Sequence, residues 1–206
     1  MPENKDDIDL IKQDDVEQLK RVPEHKLRDD RIGDDENSYL HLAACHDAAL
    51  CAEFLIKMGL TLITPRKEDG KTPLDIAHEK KSHAFLKLYE KIKDDLKASL
   101  RENVSSWYEP DPSLKKHFTA GELIEAAESV LDSVLEEDDV GWFEGDAELY
   151  ERQLLQDRIG DAKDTYLHLA AAANAPKIAG VLIGMGLSLI STRVDGKTPL
   201  DIASKN

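Results

Sequence analysis

The nonapeptide DGKTPLDIA at residues 69–77 occurs a second time, without a change, at residues 195–203. A second stretch, YLHLAA at residues 39–44, returns as residues 166–171. Over these stretches and the segments beside them, 30 of 46 aligned positions are identical. Identity at this level does not arise by chance, so the chain contains an internal duplication.

Each copy also contains a shorter period. In the first copy SYLH begins at Ser38 and TPLD at Thr72, 34 residues later. In the second copy TYLH begins at Thr165 and TPLD at Thr198, 33 residues later. Here the sequence resembles the ankyrin-repeat family, whose unit has 33 residues and a T-P-L-H start. The resemblance implies an all-α ankyrin-repeat helical solenoid of two duplicated modules, with short β-hairpin loops.

The residues of the motif have separate physical reasons to be there. Thr72 is expected to cap the helix that follows, and Pro73 fits the first turn, where a backbone N–H has no helical partner. The second helix of each unit is expected to end at Gly59 and at Gly186, because glycine suits the left-handed conformation of a C-cap.

The duplication predicts the domain organisation. We expect a first ankyrin module at residues 1–103, a linker or docked loop at 104–120, and a second module at 121–206 that ends within a repeat. Because a repeat without its second helix leaves apolar surface open, either the natural protein is longer or something else covers this end. Trp107 and Tyr108 in the linker are interpreted as anchors of that loop, with contact to a partner as the alternative.

Helical patterns outside the strong matches are weaker. They predict a flanking helix pair in each copy, at residues 8–12 with 16–22 and at residues 123–135 with 147–155. They also predict an insertion in the second copy alone, at residues 138–145, and a long last helix in the first copy, at residues 83–100.

The net charge of −15 restricts the partners of this chain. Nucleic acid and anionic membranes are held by Lys and Arg, so direct binding to either is disfavoured. A basic protein partner would instead be attracted over a distance, with a role of the acidic surface in solubility as the alternative. The absence of a signal-like N-terminus favours a cytoplasmic or nuclear protein. Cys45 and Cys51 point to different helix faces and are interpreted as small buried apolar residues.

The sequence contains no motif typical of an enzyme or of a cofactor site, and we expect neither activity nor cofactor. His41 and His168 fall inside the repeat motif, and the resemblance implies a structural role in which each ring ties the hairpin region to the helix. The spacing of His41, Cys45 and His46 could hold a metal, but a zinc site requires four ligands. The second copy has alanine in place of the last two.

The resemblance implies that partners meet the hairpin tips and the inward face of each unit's first helix. The candidates for protein binding are Asp35, Glu36, Asn37, Tyr39, His46, Asp47, Arg66, Lys67, Glu68, Lys163, Asp164, Tyr166, Asn174 and Arg193. Tyr39 and Tyr166 stand where the family has proline. If exposed, they offer aromatic contacts of the kind found at binding hot spots. The alternative is that each ring packs over the preceding turn, at Ile32 or Ile159.

The sequence therefore predicts a non-catalytic protein-binding module that acts as an adaptor, a scaffold or a stoichiometric inhibitor. Two alternatives remain open. One is an acidic inhibitor that masks a basic nucleic-acid-binding protein. The other is the targeting fragment of a larger enzyme, such as a ubiquitin-ligase subunit, or of a secreted bacterial effector.

Overall fold

The computed structural model describes residues 5–33, 36–102, 110–144 and 153–205. Regular secondary structure in these ranges is helical, which confirms the all-α class. The helices are α1 (Lys5–Lys12), α2 (Val16–Leu19), α3 (Glu24–Asp29), α4 (Tyr39–Cys45), α5 (Ala49–Lys57), α6 (Pro73–Lys80), α7 (His83–Leu100), α8 (Pro112–Lys115), α9 (Ala120–Glu136), α10 (Gly141–Glu144), α11 (Tyr166–Ala172), α12 (Pro176–Gly184) and α13 (Pro199–Ala203). Residues 153–156 are also helical. None of the described helices combines the length and apolar character needed to cross a membrane.

The chain divides into two compact units. Unit 1 holds Met1–Asp94 and Ser113–Ala120, and unit 2 holds Asp95–Pro112 and Gly121–Asn206. The division falls inside α7 rather than in the segment expected to link the modules. That linker stays a prediction, because residues 103–109, which include both of its aromatic residues, lie outside the described part of the chain.

The helix starts and stops follow from local chemistry. The Thr72 hydroxyl accepts the backbone N–H of Asp75 at 3.2 Å, and the Asp75 carboxylate accepts the N–H of Thr72 at 2.8 Å. Thr198 and Asp201 repeat this reciprocal cap before α13, at 3.1 and 2.9 Å. Each cap satisfies two N–H groups that a helix terminus leaves without partners, and the prediction from the TPLD motif is confirmed.

Glycine follows the second helix of the α4/α5 pair and of the α11/α12 pair, as predicted. Gly59 follows α5 with φ +107°, and Gly186 follows α12 with φ +101°. A side chain at this φ is strained, which is the reason that these positions favour glycine.

The core of unit 1 forms around α4, which contacts α1, α5 and α6. Leu40, Ala43 and Ala44 of α4 are fully buried, together with Leu55 of α5 and Ile11 of α1. Burial of each large aliphatic side chain stabilises the fold by roughly 1.5–3 kcal/mol, while the alanines let the helices approach closely.

Unit 2 repeats this arrangement with α11 against α12 and α13, and adds an aromatic cluster. The ring centroids of Trp142 and Phe143 lie 4.8 Å apart, and those of Phe143 and Tyr166 lie 6.0 Å apart, both edge to face. The indole N–H of Trp142 donates to the carbonyl of Leu100 at 3.1 Å. The insertion that the sequence placed here thus contributes to the core of unit 2, since Trp142 and Phe143 are buried.

Candidate functional site

Two chain reversals with the same geometry precede α4 and α11. Ile32 and Asn37 exchange two backbone hydrogen bonds, of 2.8 and 3.0 Å, in an antiparallel bridge. Ile159 and Asp164, at the equivalent positions, exchange bonds of 2.7 and 3.0 Å. We call these two features the entry turns of the two units, the first closed by the pairing of Ile32 with Asn37 and the second by that of Ile159 with Asp164.

A histidine fastens each entry turn to the next turn of the chain. Nδ1 of His41 accepts the backbone N–H of Ser38 at 3.2 Å, so the ring proton is on Nε2, which donates to the carbonyl of Lys71 at 3.1 Å. Burial lowers the pKa of His41, which favours this neutral form. His168 makes the same two bonds to Thr165 and Lys197, both of 3.1 Å. This is the structural role that the resemblance implied.

An arginine joins the same two turns in each unit. Arg66 forms a bidentate pair with Asp69, with both N–O distances at 2.7 Å, and its third nitrogen donates to the side chain of Asn37 at 3.3 Å. The hydrogen bond from Arg66 holds the pKa of Asp69 well below its ordinary value. A bidentate arginine has little freedom left, so Arg66 serves the scaffold rather than offering a mobile contact.

The second unit repeats the arginine clamp. Arg193 binds Asp195 at 2.8 and 2.9 Å and donates to Asp164 at 3.3 Å. The equivalent partner in unit 1 is an asparagine, so the clamp of unit 2 contains one more carboxylate. Arg193 and Asp164 are therefore paired with one another, although the sequence placed both on the binding surface.

The expectation of exposed tyrosines is wrong. Tyr39 and Tyr166 are both fully buried. The hydroxyl of Tyr39 donates to Asp7 at 3.0 Å, and that of Tyr166 donates to Asp157 at 3.3 Å. Burial, followed by the nearby Asp7 charge, raises the pKa of Tyr39. Because each ring fills the core and its hydroxyl has a carboxylate partner, neither tyrosine is available to a partner protein.

Most of the other candidates lie at the surface. Those on exposed or half-exposed surface are Glu36, His46, Lys67, Glu68, Lys163 and Asn174, while Asp47 is also exposed but is bonded to the backbone of α7. Lys67 pairs with Glu36 at 2.6 Å, which brings the two turns of unit 1 together at the surface. Asp35 lies outside the described residues.

A groove of about 270 Å³ runs along the described surface of unit 1, between α4 and α6. Its lining combines an apolar floor with a charged rim and consists of Asn37, His41, Leu42, Cys45, Arg66, Ile76, Glu79 and Lys80. Small-molecule pockets commonly have about 300–1,000 Å³, so this groove lies near the lower end of that range.

The two cysteines differ in their surroundings. Cys51 is fully buried, as expected, and burial raises the pKa of its thiol to about 12. Cys45 is only half-buried and lines the groove, so the expectation that both are buried is wrong for Cys45. A reactive probe will therefore distinguish the two thiols.

Sequence reasoning missed a second capping device. Asp14, in the turn after α1, accepts the N–H groups of Leu50 and Cys51 at 3.1 and 2.8 Å, at the start of α5. Asp47, in the turn after α4, accepts the N–H of Phe85 at 2.9 Å, near the start of α7. In each case a turn of one helix pair caps the second helix of the next pair. The sequence signal for this cap is an acidic residue that recurs in the turn after the first helix of a pair.

Asp138 uses the same device in unit 2, where it accepts the N–H groups of Lys177 and Ile178 at the start of α12. Asp14, Asp47 and Asp138 share the left-handed backbone, with φ from 51° to 57°. Asn174, in the turn after α11, has the same conformation, with φ 55°, and is exposed.

Within the ranges that the structure describes, no cluster of three or more metal-binding side chains occurs. Neither the models of known protein families nor the curated proteins gave a match to this chain. Function therefore has to be inferred from the residues themselves.

Proposed function

We propose that this chain is an ankyrin-type interaction module that binds a protein partner without catalysing a reaction, with the groove of unit 1 as a contact site. The observation that carries the proposal is the shared scaffold of the two copies. The histidine and arginine bonds that hold the turns recur in both units, while the surface residues beside them differ.

The surface next to the clamp differs in charge between the units. Unit 1 presents Glu36 paired with Lys67, whereas the equivalent positions of unit 2 are Lys163 and the exposed Val194. A fixed frame with variable exposed residues is the arrangement by which one scaffold offers different binding surfaces. Rigid turns also reduce the entropy that is lost when a partner binds.

The groove supplies the elements of a contact site. Leu42 and Cys45, both half-buried, give an apolar floor, while Glu79 and Lys80 stand at the exposed rim. An apolar centre with a charged rim is the common anatomy of a protein interface. The net charge of −15 adds attraction for a basic partner, which acts on the association rate more than on the dissociation rate.

The test compares two variants of equal charge. Glu79→Lys alters the rim of the groove, and Glu90→Lys makes the same charge change on the exposed surface of α7. Partners captured by the full chain would be identified and their affinities measured against both variants. We expect Glu79→Lys to weaken binding about tenfold, or about 1.4 kcal/mol. Glu90→Lys should change it less than twofold. Equal effects of the two variants would contradict a contact at the groove.

A second readout uses the groove cysteine. A thiol reagent should modify Cys45 rapidly and the buried Cys51 slowly. A partner seated in the groove should protect Cys45, and unchanged labelling of Cys45 in a saturated complex would place the contact elsewhere.

A further inference from the structure

A second cavity lies within unit 1, where the end of α3 meets the turn after α5. It has a volume of about 200 Å³, and its polar side chains come from Arg28, Arg31, Ser38, Thr61 and Thr64. Among the described residues that line it there are two guanidinium groups and no carboxylate. We call this cavity the arginine pocket. A pocket of positive charge is unexpected in a chain whose net charge is −15.

Arg31 is held in place by the backbone of its own turn. Its Nη1 donates to the carbonyls of Arg28, Asp29 and Asp30, at 3.2, 3.4 and 3.1 Å. A guanidinium carries five N–H donors in a rigid fork, and these three bonds use only the donors of Nη1. The backbone therefore positions Arg31, while its Nε and Nη2 donors are not used by these carbonyls.

Arg28 reaches the pocket from α3. A Cβ added to Gly59 would lie 3.7 Å from Nη2 of Arg28, so the guanidinium rests against the backbone of the turn after α5. Nη2 also pairs with Glu24 at 2.7 Å, and the side chains of this pair are 50% and 63% exposed. A solvent-exposed pair of this kind contributes little free energy, so an anion of higher charge can compete with Glu24 for the guanidinium.

The hydroxyl groups of the pocket have different roles. The hydroxyls of Thr61 and Thr64, both half-buried, form a hydrogen bond with one another. One hydroxyl proton is used in that bond, and the proton of the other threonine is not. The Ser38 hydroxyl donates to Nδ1 of His41 at 2.7 Å, so Ser38 belongs to the wall of the pocket rather than to its donors.

Unit 2 provides a natural comparison. The position equivalent to Arg28 is Leu155, and a Cβ on Gly186 would lie 3.9 Å from Cδ2 of this leucine. Arg158 takes the place of Arg31 and likewise donates to two backbone carbonyls, at 3.3 and 2.8 Å. Serines stand at both threonine positions. The two copies therefore keep one arginine and the hydroxyls, and differ by the guanidinium of Arg28.

We propose that the arginine pocket of unit 1 binds a phosphate monoester, with Arg28 and Arg31 as its charge partners and a threonine hydroxyl as a further donor. A phosphate monoester carries close to two negative charges at neutral pH, and arginine forks match its oxygens in pairs. A carboxylate carries one charge and is satisfied by one arginine. The phosphate group belongs either to a phosphorylated side chain of a partner protein or to a small phosphorylated molecule.

The test titrates the full chain with inorganic phosphate at constant ionic strength, followed by the backbone amide NMR signals of Gly59 and Thr61. We expect saturable shifts of both signals. Arg28→Leu should weaken binding by about tenfold or more, because it removes a charge-assisted contact. Leucine occupies the same position in unit 2, so the variant should fold, and its unfolding midpoint checks this. Arg21→Leu removes the same charge from an exposed residue outside the pocket and should change the affinity less than twofold.

The reverse substitution tests the same idea by gain of function. Leu155→Arg should create a second phosphate site, detected as a new saturable shift of the Gly186 amide. A blocked phosphoserine tripeptide separates the two sources of the phosphate group. Tighter binding of this peptide than of inorganic phosphate would identify a partner side chain, and equal binding would identify a small phosphorylated molecule.

Four results would overturn the proposal. They are the absence of a saturable shift at Gly59, equal affinity of the parent chain and Arg28→Leu, an unchanged Gly186 signal in Leu155→Arg, and binding of acetate as tight as that of phosphate. The arginine pocket shares no lining residue with the groove between α4 and α6. Glu79→Lys should therefore change phosphate affinity less than twofold, and a failure here is distinguishable from a failure of the proposed groove.

Discussion

The nonapeptide of α6 and that of α13 have the same sequence and the same reciprocal cap, but their surroundings differ. Ile76 of α6 is buried, while the equivalent Ile202 of α13 is half-exposed. The sequence therefore specifies where the helix begins and which side is apolar, but not whether that side is covered. Coverage comes from neighbouring elements, and in unit 1 the chain continues past α6 into α7, whose Phe85 and Tyr89 are buried. The comparison teaches that two copies of one motif can share the same cap and differ in the burial of the same residue.

The largest expected effect tests whether the two tyrosines have the same role. Tyr39→Ala and Tyr166→Ala should each destabilise the protein by about 3–5 kcal/mol, because each removes a fully buried ring. Denaturant unfolding followed by circular dichroism measures this loss. Tyr39→Phe and Tyr166→Phe are the controls, which keep the ring and remove only the hydroxyl. A loss below 1 kcal/mol for either alanine variant would mean that its ring is not part of the core.

The stability of unit 1 is expected to depend on pH through a buried histidine. His117 of unit 1 is buried, and its Nδ1 has no hydrogen-bond partner among the residues that the structure describes. Burial lowers the pKa of His117 to about 4 from 6.5. Above pH 6.5 the ring is neutral in both the folded and the unfolded state. As the pH falls from 6.5 toward 4, only the unfolded state takes up the proton, so stability decreases by at most about 1.4 kcal/mol per pH unit.

The measurement is the free energy of unfolding at pH 7 and pH 5, for the full chain and for His117→Leu. Between these two values the variant should lose about 1–2 kcal/mol less than the parent chain, because it removes the group that titrates. Unit 1 should open first, since His41 and His46, whose pKa values are also lowered, belong to it. Identical pH dependence of both proteins would contradict this account of His117.

The turn caps give a smaller effect with a matched control. Asp14→Gly removes a carboxylate that binds two helix N–H groups and should destabilise the protein by about 1.5 kcal/mol. Asn174 occupies the equivalent position in the turn after α11, but it caps no helix among the described residues. Asn174→Gly should therefore change the free energy of unfolding of the isolated chain by less than 0.5 kcal/mol. Glycine suits both sites because both have positive φ. The midpoints of thermal unfolding of the two variants are compared with that of the parent chain. Equal losses of stability in both variants would contradict the assigned roles.

Local features of the fold could be predicted from the sequence. The cap at Thr72 and the helix end at Gly59 depend on neighbouring residues, and both were confirmed. The structural role of His41 was implied by the resemblance, and the bonds to Ser38 and Lys71 agree with it.

Features that depend on distant residues could not be predicted in the same way. Tyr39 is buried partly because Asp7, 32 positions earlier, accepts a hydrogen bond from its hydroxyl. Asp14 caps a helix 37 positions later, at Cys51, so its role is invisible in the local pattern. Cys45 is half-exposed because the groove opens beside it. Burial and long-range capping depend on contacts between residues that are far apart in the sequence. Hydrophobic periodicity indicates only the helix face on which a residue lies.

The most direct test of the comparison is amide hydrogen exchange at Ile76 and Ile202 in the native full chain. Both amides lie in the same nonapeptide, so their intrinsic exchange rates are matched. Both donate to a threonine carbonyl, at 3.1 and 3.2 Å. Because Ile76 is buried and Ile202 is half-exposed, Ile76 should exchange about 100-fold more slowly, corresponding to about 2.7 kcal/mol in opening free energy. Equal protection of Ile76 and Ile202 would contradict the central claim that the two units differ in the coverage of one shared frame.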